Sequence, residues 1–152
     1  MIPEEVSTRP EALELLAGTD FFSALDRAQL RKLAAVSHLE EFAEGVEIYH
    51  HGQPAKYLYV LADGLVQFAI GFRNRTGGGD MIRRGNVFGW AALTPGVRQR
   101  IATATCVTPC TVLAIDGAEC FALMQADHTM GFHIMTRLNL MITSTLTAFV
   151  AG

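Results

Sequence analysis

Charge is scarce in this 152-residue chain. Asp, Glu, Lys and Arg make up 18% of it, against 50% hydrophobic residues. Disorder needs low hydrophobicity and high net charge, so this balance confines it to the termini. Positive charge is not in excess: twelve Lys and Arg against fifteen Asp and Glu leave a net charge of −3. With a pI near 5.9, no electrostatic footprint for nucleic acid is present. Arg73, Arg75, Arg83, Arg84, Arg98 and Arg100 cluster mid-sequence, but a single phosphate needs only one or two of them. No apolar run approaches the roughly 18 residues of a membrane span. The acidic start Met1-Ile2-Pro3-Glu4-Glu5 is not a signal peptide. Three cysteines, an odd count, predict free thiols in a reducing cytoplasm. There is no internal repeat. The run Gly77-Gly78-Gly79 lacks the Lys-Ser/Thr of a nucleotide-hydrolysing loop, and no acid/base pair or activated nucleophile is visible, which sets an enzyme aside.

What is present predicts one domain over 1–152, with a tail and helices over 1–37, a β-barrel over 38–116 and C-terminal helices over 117–152. A flexible tail runs to about Arg9, followed by a short amphipathic helix from Glu11 to Ala17 that Gly18 ends. The connector Asp20 to Leu25 brings two aromatics. Asp26 caps a second helix, with Gln29 in the reciprocal capping-box place and Leu30, Leu33 and Ala34 on one face. Seven strands are predicted: His38 to Phe42, Val46 to His50, Tyr57 to Ala62, Gly64 to Phe72, Asp80 to Arg84, Arg100 to Val107 and Thr111 to Asp116. Their even spacing suits an antiparallel sandwich or barrel better than alternating β-α units. Ala118 to Gln125 forms a short helix. Asp127 caps a last one, to about Phe149, whose one firmly charged side chain is Arg137. Its apolar stripe (Ile134, Met135, Leu138, Met141, Ile142, Thr145, Leu146 and Phe149) is wider than one contact with a barrel would cover. A second copy of the same helix is the expected cover, giving a homodimer.

The stretch Gly85 to Ala104 organises the rest. Gly85-Asn86 is turn chemistry, Val87-Phe88 a short apolar pair, and Gly89 a place where the backbone can approach something closely. Trp90 to Leu93 is long enough for one helical turn, and a loop leads to Arg100 on the next strand. Backbone donors on one side and a guanidinium fork on the other would clamp a phosphate.

Phe88-Gly89-x-x-Ala92-Leu93 followed by Arg100-x-Ala102-Thr103 resembles the phosphate-binding cassette of cyclic-nucleotide-binding domains, including the sensor half of bacterial catabolite-activator-type regulators. Gly45-x-x-Ile48, Gly52 and Tyr57-Leu58-Tyr59-Val60-Leu61-x-x-Gly64 resemble that family's β-roll framework, and Phe21-Phe22-Ser23-Ala24-Leu25-Asp26 its lead-in. The resemblance implies a mainly β fold: an antiparallel double-stranded β-helix or jelly-roll barrel, with N-terminal helices and a long C-terminal one. It also implies a ligand such as cAMP or cGMP, without a further cofactor, held by Phe88, Gly89, Trp90, Ala91, Ala92, Leu93, Arg100, Ile101, Thr103 and Thr143 or Ser144 of the terminal helix. One position departs from the family. Where it places a glutamate on the ribose 2′-hydroxyl, this chain has Trp90, its only tryptophan.

Two readings follow. One is a cytoplasmic sensor that binds a cyclic nucleotide or related anion and signals through a terminal-helix dimer. The other is a degenerate domain that only dimerises or docks on a partner protein. They separate on whether Arg100 is free to meet a ligand or is tied up by a carboxylate. DNA binding by this chain alone is not expected, because the sequence ends where this family's regulators would begin a helix-turn-helix. Haem-sensing relatives exist, but no haem signature is reproduced here. Cys106 and Cys110 read as structural thiols, since C-x₃-C lacks matched ligands nearby. His50 and His51, adjacent on a strand, point to opposite faces, and His128 and His133 are five apart on a helix, so neither pair shares an ion easily.

Overall fold

A computed structural model describes residues 4–70, 81–94, 96 and 99–151, with side chains described over 10–145 of that range. Two helices lead, α1 (Glu4–Ala17) and α2 (Arg27–Ala35). Eight strands follow: β1 (Ser37–Phe42), β2 (Glu47–Tyr49), β3 (Tyr57–Asp63), β4 (Val66–Ile70), β5 (Met81–Ile82), β6 (Val87–Phe88), β7 (Ala102–Cys106) and β8 (Cys110–Asp116). A single 3-10 turn, Trp90–Leu93, separates β6 from β7, and α3 (Gly117–Ala126) and α4 (His128–Ala151) close the chain.

The strands form two antiparallel four-stranded sheets, in the orders β1-β8-β3-β6 and β2-β7-β4-β5. The chain crosses repeatedly from one sheet to the other, which makes the jelly roll. Strands β3 and β8 are central and buried on both faces, so they read as nearly continuous apolar runs. Leu58, Val60, Leu113 and Ile115 face the helices, where they join Leu16, Phe22, Leu33, Met130 and Ile134 in one core. Tyr59, Leu61, Val112 and Ala114 face the other sheet and pack with Tyr49, Val66, Phe88, Ala104, Cys106 and Cys110. Two cores on one sheet make it the rigid wall of the molecule.

Helix α2 begins as its residues require. Asp26 Oδ1 accepts from the Gln29 N–H at 2.8 Å, and Gln29 Oε1 accepts from the Asp26 N–H at 2.8 Å. Asp127 accepts from the Met130 N–H at 3.1 Å at the start of α4 and from the Gln29 amide at 3.0 Å, tying α4 to α2. The Gln29 bond, followed by the Met130 bond, holds the Asp127 carboxyl below its ordinary range.

Three expectations need correction. The flexible tail to Arg9 is instead helical from Glu4, and α1 runs through Pro10, ahead of Glu11 where the sequence places its start. Strand β6 was missed: two residues carry no period, and tertiary pairing of Val87 with Val60 and Phe88 with Tyr59 makes the strand. The third concerns α4. Ile134 and Leu138, expected at a dimer seam, are 1% and 4% exposed inside this chain's own core, because α4 lies back on α3 and the helical layer. Met135 and Ile142 are half-buried against the same core, while Phe132 and Leu140 stand out at 68% and 57% exposed. Phe72, the Gly77-Gly78-Gly79 turn, Asp80 and the side chains of Leu146 and Phe149 lie outside the described residues.

Candidate ligand-binding site

Arg100 enters the barrel because its backbone is clamped to the Gly52 turn. Its N–H donates to the Gln53 carbonyl and its own carbonyl accepts from the Gly52 N–H, both at 2.8 Å. The side chain then runs inward and is 3% exposed. Nη1 donates to the Gly89 carbonyl at 2.8 Å and Nη2 to the Tyr57 carbonyl at 2.6 Å. The guanidinium carbon lies 4.1 Å from the Tyr49 ring centroid and 5.8 Å from that of Tyr59. Nε is buried and has no hydrogen-bond partner among the described residues.

Thus Arg100 is neither free nor tied to a carboxylate: its partners are two carbonyls and two aromatic faces. No ion pair among the described residues reaches it. Burial lowers its pKa, and the neighbouring Tyr49 and Tyr59 oppose that shift. Burial likewise pushes the Tyr59 hydroxyl up to about 12 despite Arg100, and the Tyr49 hydroxyl upward too. Tyr49, Tyr59 and Phe88 form a run of near-parallel rings, with centroid distances of 6.0 and 5.3 Å, that fills the barrel beside the guanidinium.

Gly89 is what lets the arginine close on the 3-10 turn. Its φ is +80°, and a Cβ there would stand 3.0 Å from Arg100 Nη1 and 3.2 Å from the Tyr57 carbonyl oxygen. The close approach expected at this glycine is therefore made by Arg100. Ala91 and Leu93 are buried under the turn, and Ala92 is half-buried. A Cβ on Gly117 would meet the Ala92 carbonyl at 2.5 Å, so the turn sits directly on the start of α3.

Trp90 is half-buried and packs against the helical core. It also lines a cavity of about 520 Å³ between α4, the Asp20-Phe21 connector and the β4-β5 sheet edge. Phe88, Gly89 and Ser144 line the same cavity, whereas Arg100 and Thr143 do not. Ile101 is 39% exposed, and Thr103 Oγ1 accepts from the His51 N–H at 3.0 Å. The structure therefore splits the predicted residues: Arg100 meets Gly89 from inside the barrel, while Trp90 and Ser144 look into the cavity.

Sequence reading did not assign Tyr49, Tyr57 and Tyr59 to Arg100, since nothing local marks them. It also missed Arg137 as a cavity residue, although its isolation as the charged side chain of an apolar helix was a usable signal. Cys106, Cys110 and Cys120 are all buried free thiols. Burial, with a further contribution from Cys110, pushes Cys106 up to about 12, and burial pushes Cys120 up to about 12 as well. Among the described residues no group of three metal-ligating side chains occurs, and no helix is long and apolar enough to cross a membrane.

Jelly roll, flanking helices and a one-turn helix met by a buried arginine define the class of fold. The chain belongs to the cyclic nucleotide-binding domain family, which matches residues 39–127. It is 27% identical over 127 residues to the HTH-type transcriptional regulator Cmr of Mycobacterium tuberculosis, covering 83% of this chain but only 51% of that protein. The chain thus spans about half the length of that curated relative. Among solved structures, the sensor domain of the transcriptional regulator DNR from Pseudomonas aeruginosa shares the fold at a TM-score of 0.75 and 20% identity, covering 93% of this chain and 95% of that one. The regulatory domain of Toxoplasma gondii PKA, crystallised with cAMP, does so at 0.73 and 17%, covering 93% and 51%.

Proposed function

We propose that this protein is a ligand-responsive regulatory module that binds a cyclic nucleotide or related anion at the 88–104 cassette and signals through α4. The observation that carries this reading is Arg100. A buried cation with no counter-ion among the described residues is costly. Gly89's carbonyl already accepts from the Ala92 N–H at 3.3 Å, so the arginine is not needed to satisfy it. A guanidinium held beside a one-turn helix, with Nε unpaired among the described residues, is poised for an incoming phosphate. The ligand would exchange carbonyl partners for anion oxygens and shift Gly89. From there the Ala92–Gly117 contact passes to α3, and the close packing of Gly131 on Met124 passes it to α4. Phe132 and Leu140, exposed on α4, are the surface a second copy would cover.

Two features of the site favour the degenerate reading instead. Two of the guanidinium's nitrogens are already engaged, and Trp90 cannot accept a hydrogen bond from a ribose hydroxyl. Calorimetric titration with cAMP and cGMP decides between the two. Saturable binding of either is the expected outcome. Its absence at millimolar nucleotide, for a folded protein, favours the degenerate module. Sedimentation at micromolar protein tests the assembly separately: a dimer is expected, weakened by Phe132→Ser and Leu140→Ser together. A monomer at every concentration, with and without nucleotide, would eliminate α4 as a homodimer seam.

A further inference from the structure

The three cysteines are not equivalent. Cys120 lies in the helical core, where its sulfur neighbour is the Met124 thioether at 4.0 Å. Cys106 and Cys110 share the other core and are 1% and 3% exposed. Cys106 ends β7 and Cys110 begins β8, so the pair brackets the turn Val107-Thr108-Pro109, and the two thiols contact each other. Because β7 and β8 belong to different sheets, this contact spans the two walls of the barrel.

Backbone groups hold the pair in place. The Cys106 N–H donates to the Val46 carbonyl at 2.9 Å, and the Cys106 carbonyl accepts from the Gly45 N–H at 2.8 Å. The Cys110 thiol donates to the carbonyls of Thr108 at 3.2 Å and Leu65 at 3.4 Å. A Cβ on Gly64 would stand 2.7 Å from the Cys110 sulfur, so a glycine in that turn is what leaves room for it. The Leu65 carbonyl also accepts from the Val107 N–H at 2.9 Å and keeps that partner if the thiol hydrogen is removed. The Thr108 carbonyl belongs to a turn whose Val107 and Pro109 are exposed, within reach of water.

We propose that Cys106 and Cys110 form a reversible disulfide, made by exchange with a low-molecular-weight disulfide and undone by thiols. One cysteine sulfur attacks the reagent, whose S–S bond breaks and releases one thiol, leaving a mixed disulfide on the protein. The other cysteine attacks that protein sulfur and expels the second thiol. A protein S–S bond thus replaces the reagent's, and the two protein protons leave with the released thiols. Burial keeps the Cys106 thiol protonated in the closed domain, so exchange waits on opening of the exposed turn and is slow. The loop that the bond closes is short, so little chain entropy is removed and the bond stays reducible. The clasp joins the sheets at the end of β8 remote from Asp116, which caps α3, and neither cysteine lines the cavity beside Trp90.

The test equilibrates the folded full chain in mixtures of reduced and oxidised glutathione, quenches in acid, alkylates under denaturing conditions and reads intact mass and peptide map. A chain lighter by two hydrogens is expected, with Cys106 joined to Cys110 and Cys120 still alkylated. Dithiothreitol should restore three alkylatable thiols. Sequence proximity alone would allow the bond in an unfolded chain, so the same equilibrium is measured in urea. The thiol contact in the fold should make the folded constant larger by about tenfold or more. Cys106→Ser and Cys110→Ser should each abolish the two-hydrogen loss, and the parent chain's equilibrium stands as the test if either fails to fold. A folded constant no larger than that in urea, a bond that uses Cys120 or a second chain, or a reaction that stops at a glutathione adduct would each overturn the proposal.

Discussion

Arg100→Met is expected to abolish anion binding at the cassette while leaving the domain folded and at least as stable as the parent. The stability half follows from what the guanidinium does at rest. It is 3% exposed and, among the described residues, has no carboxylate partner and leaves Nε unpaired. Its bonds to the Gly89 and Tyr57 carbonyls and its seat over Tyr49 offset part of the desolvation cost. Replacing a buried ion pair by apolar side chains of similar volume is commonly neutral or stabilising by about 1–4 kcal/mol, and a cation lacking its partner has less to lose. Methionine keeps the length and can lie against the same tyrosine rings. The binding half follows from geometry: two charge-assisted bonds at about 1.5–3 kcal/mol each make the lost affinity roughly a hundredfold to ten-thousandfold. Thermal unfolding with and without added cAMP reads both halves. The nucleotide should raise the parent's midpoint and leave the variant's unchanged. If Arg100→Met unfolds, or its midpoint drops by many degrees, the arginine is a structural strut of the barrel and its assignment to a ligand falls.

That result would bear on how far the sequence carries. The jelly roll was legible because turn residues at Gly45, Gly52, Gly64 and Gly85 punctuate short strands, and each of these glycines has positive φ in the structure. The cassette turn at Trp90–Leu93 was legible from spacing, as was the capping box at Asp26. What could not be read were relations between distant residues. That Arg100 stacks on Tyr49 depends on β7 pairing with β2 across more than fifty positions, a tertiary fact with no local signature. Likewise the wide apolar stripe on α4 does not show which side of it meets the chain's own core. Ile134 and Leu138 turned inward, Phe132 and Leu140 outward. The site was legible as a list of residues and not as a shape, and its division between Arg100 and the Trp90 cavity required coordinates.

Trp90→Glu is expected to raise the affinity for cAMP while lowering stability. By the cassette resemblance, the position after Gly89 is where a ribose-binding glutamate is expected, and here it carries an indole that packs on the helical core and walls the cavity. An indole donates one hydrogen bond and accepts none, so a ribose hydroxyl placed beside it loses its acceptor. A carboxylate restores a charge-assisted bond of about 1.5–3 kcal/mol, a gain of roughly tenfold to a few hundredfold. The same change strips a large ring from a half-buried position, costing about 1–3 kcal/mol of stability from lost apolar contact. The two effects are separable. Calorimetry with cAMP and with its 2′-deoxy analogue isolates the new bond: the variant should gain affinity for the first and none for the second, while thermal unfolding records the packing loss. Equal gains for both nucleotides would show that removing the bulk of Trp90, not adding an acceptor, opened the site. A folded variant that binds neither would mean that the cassette lacks more than one contact, and Trp90 would stand as the plug of a domain whose role is association.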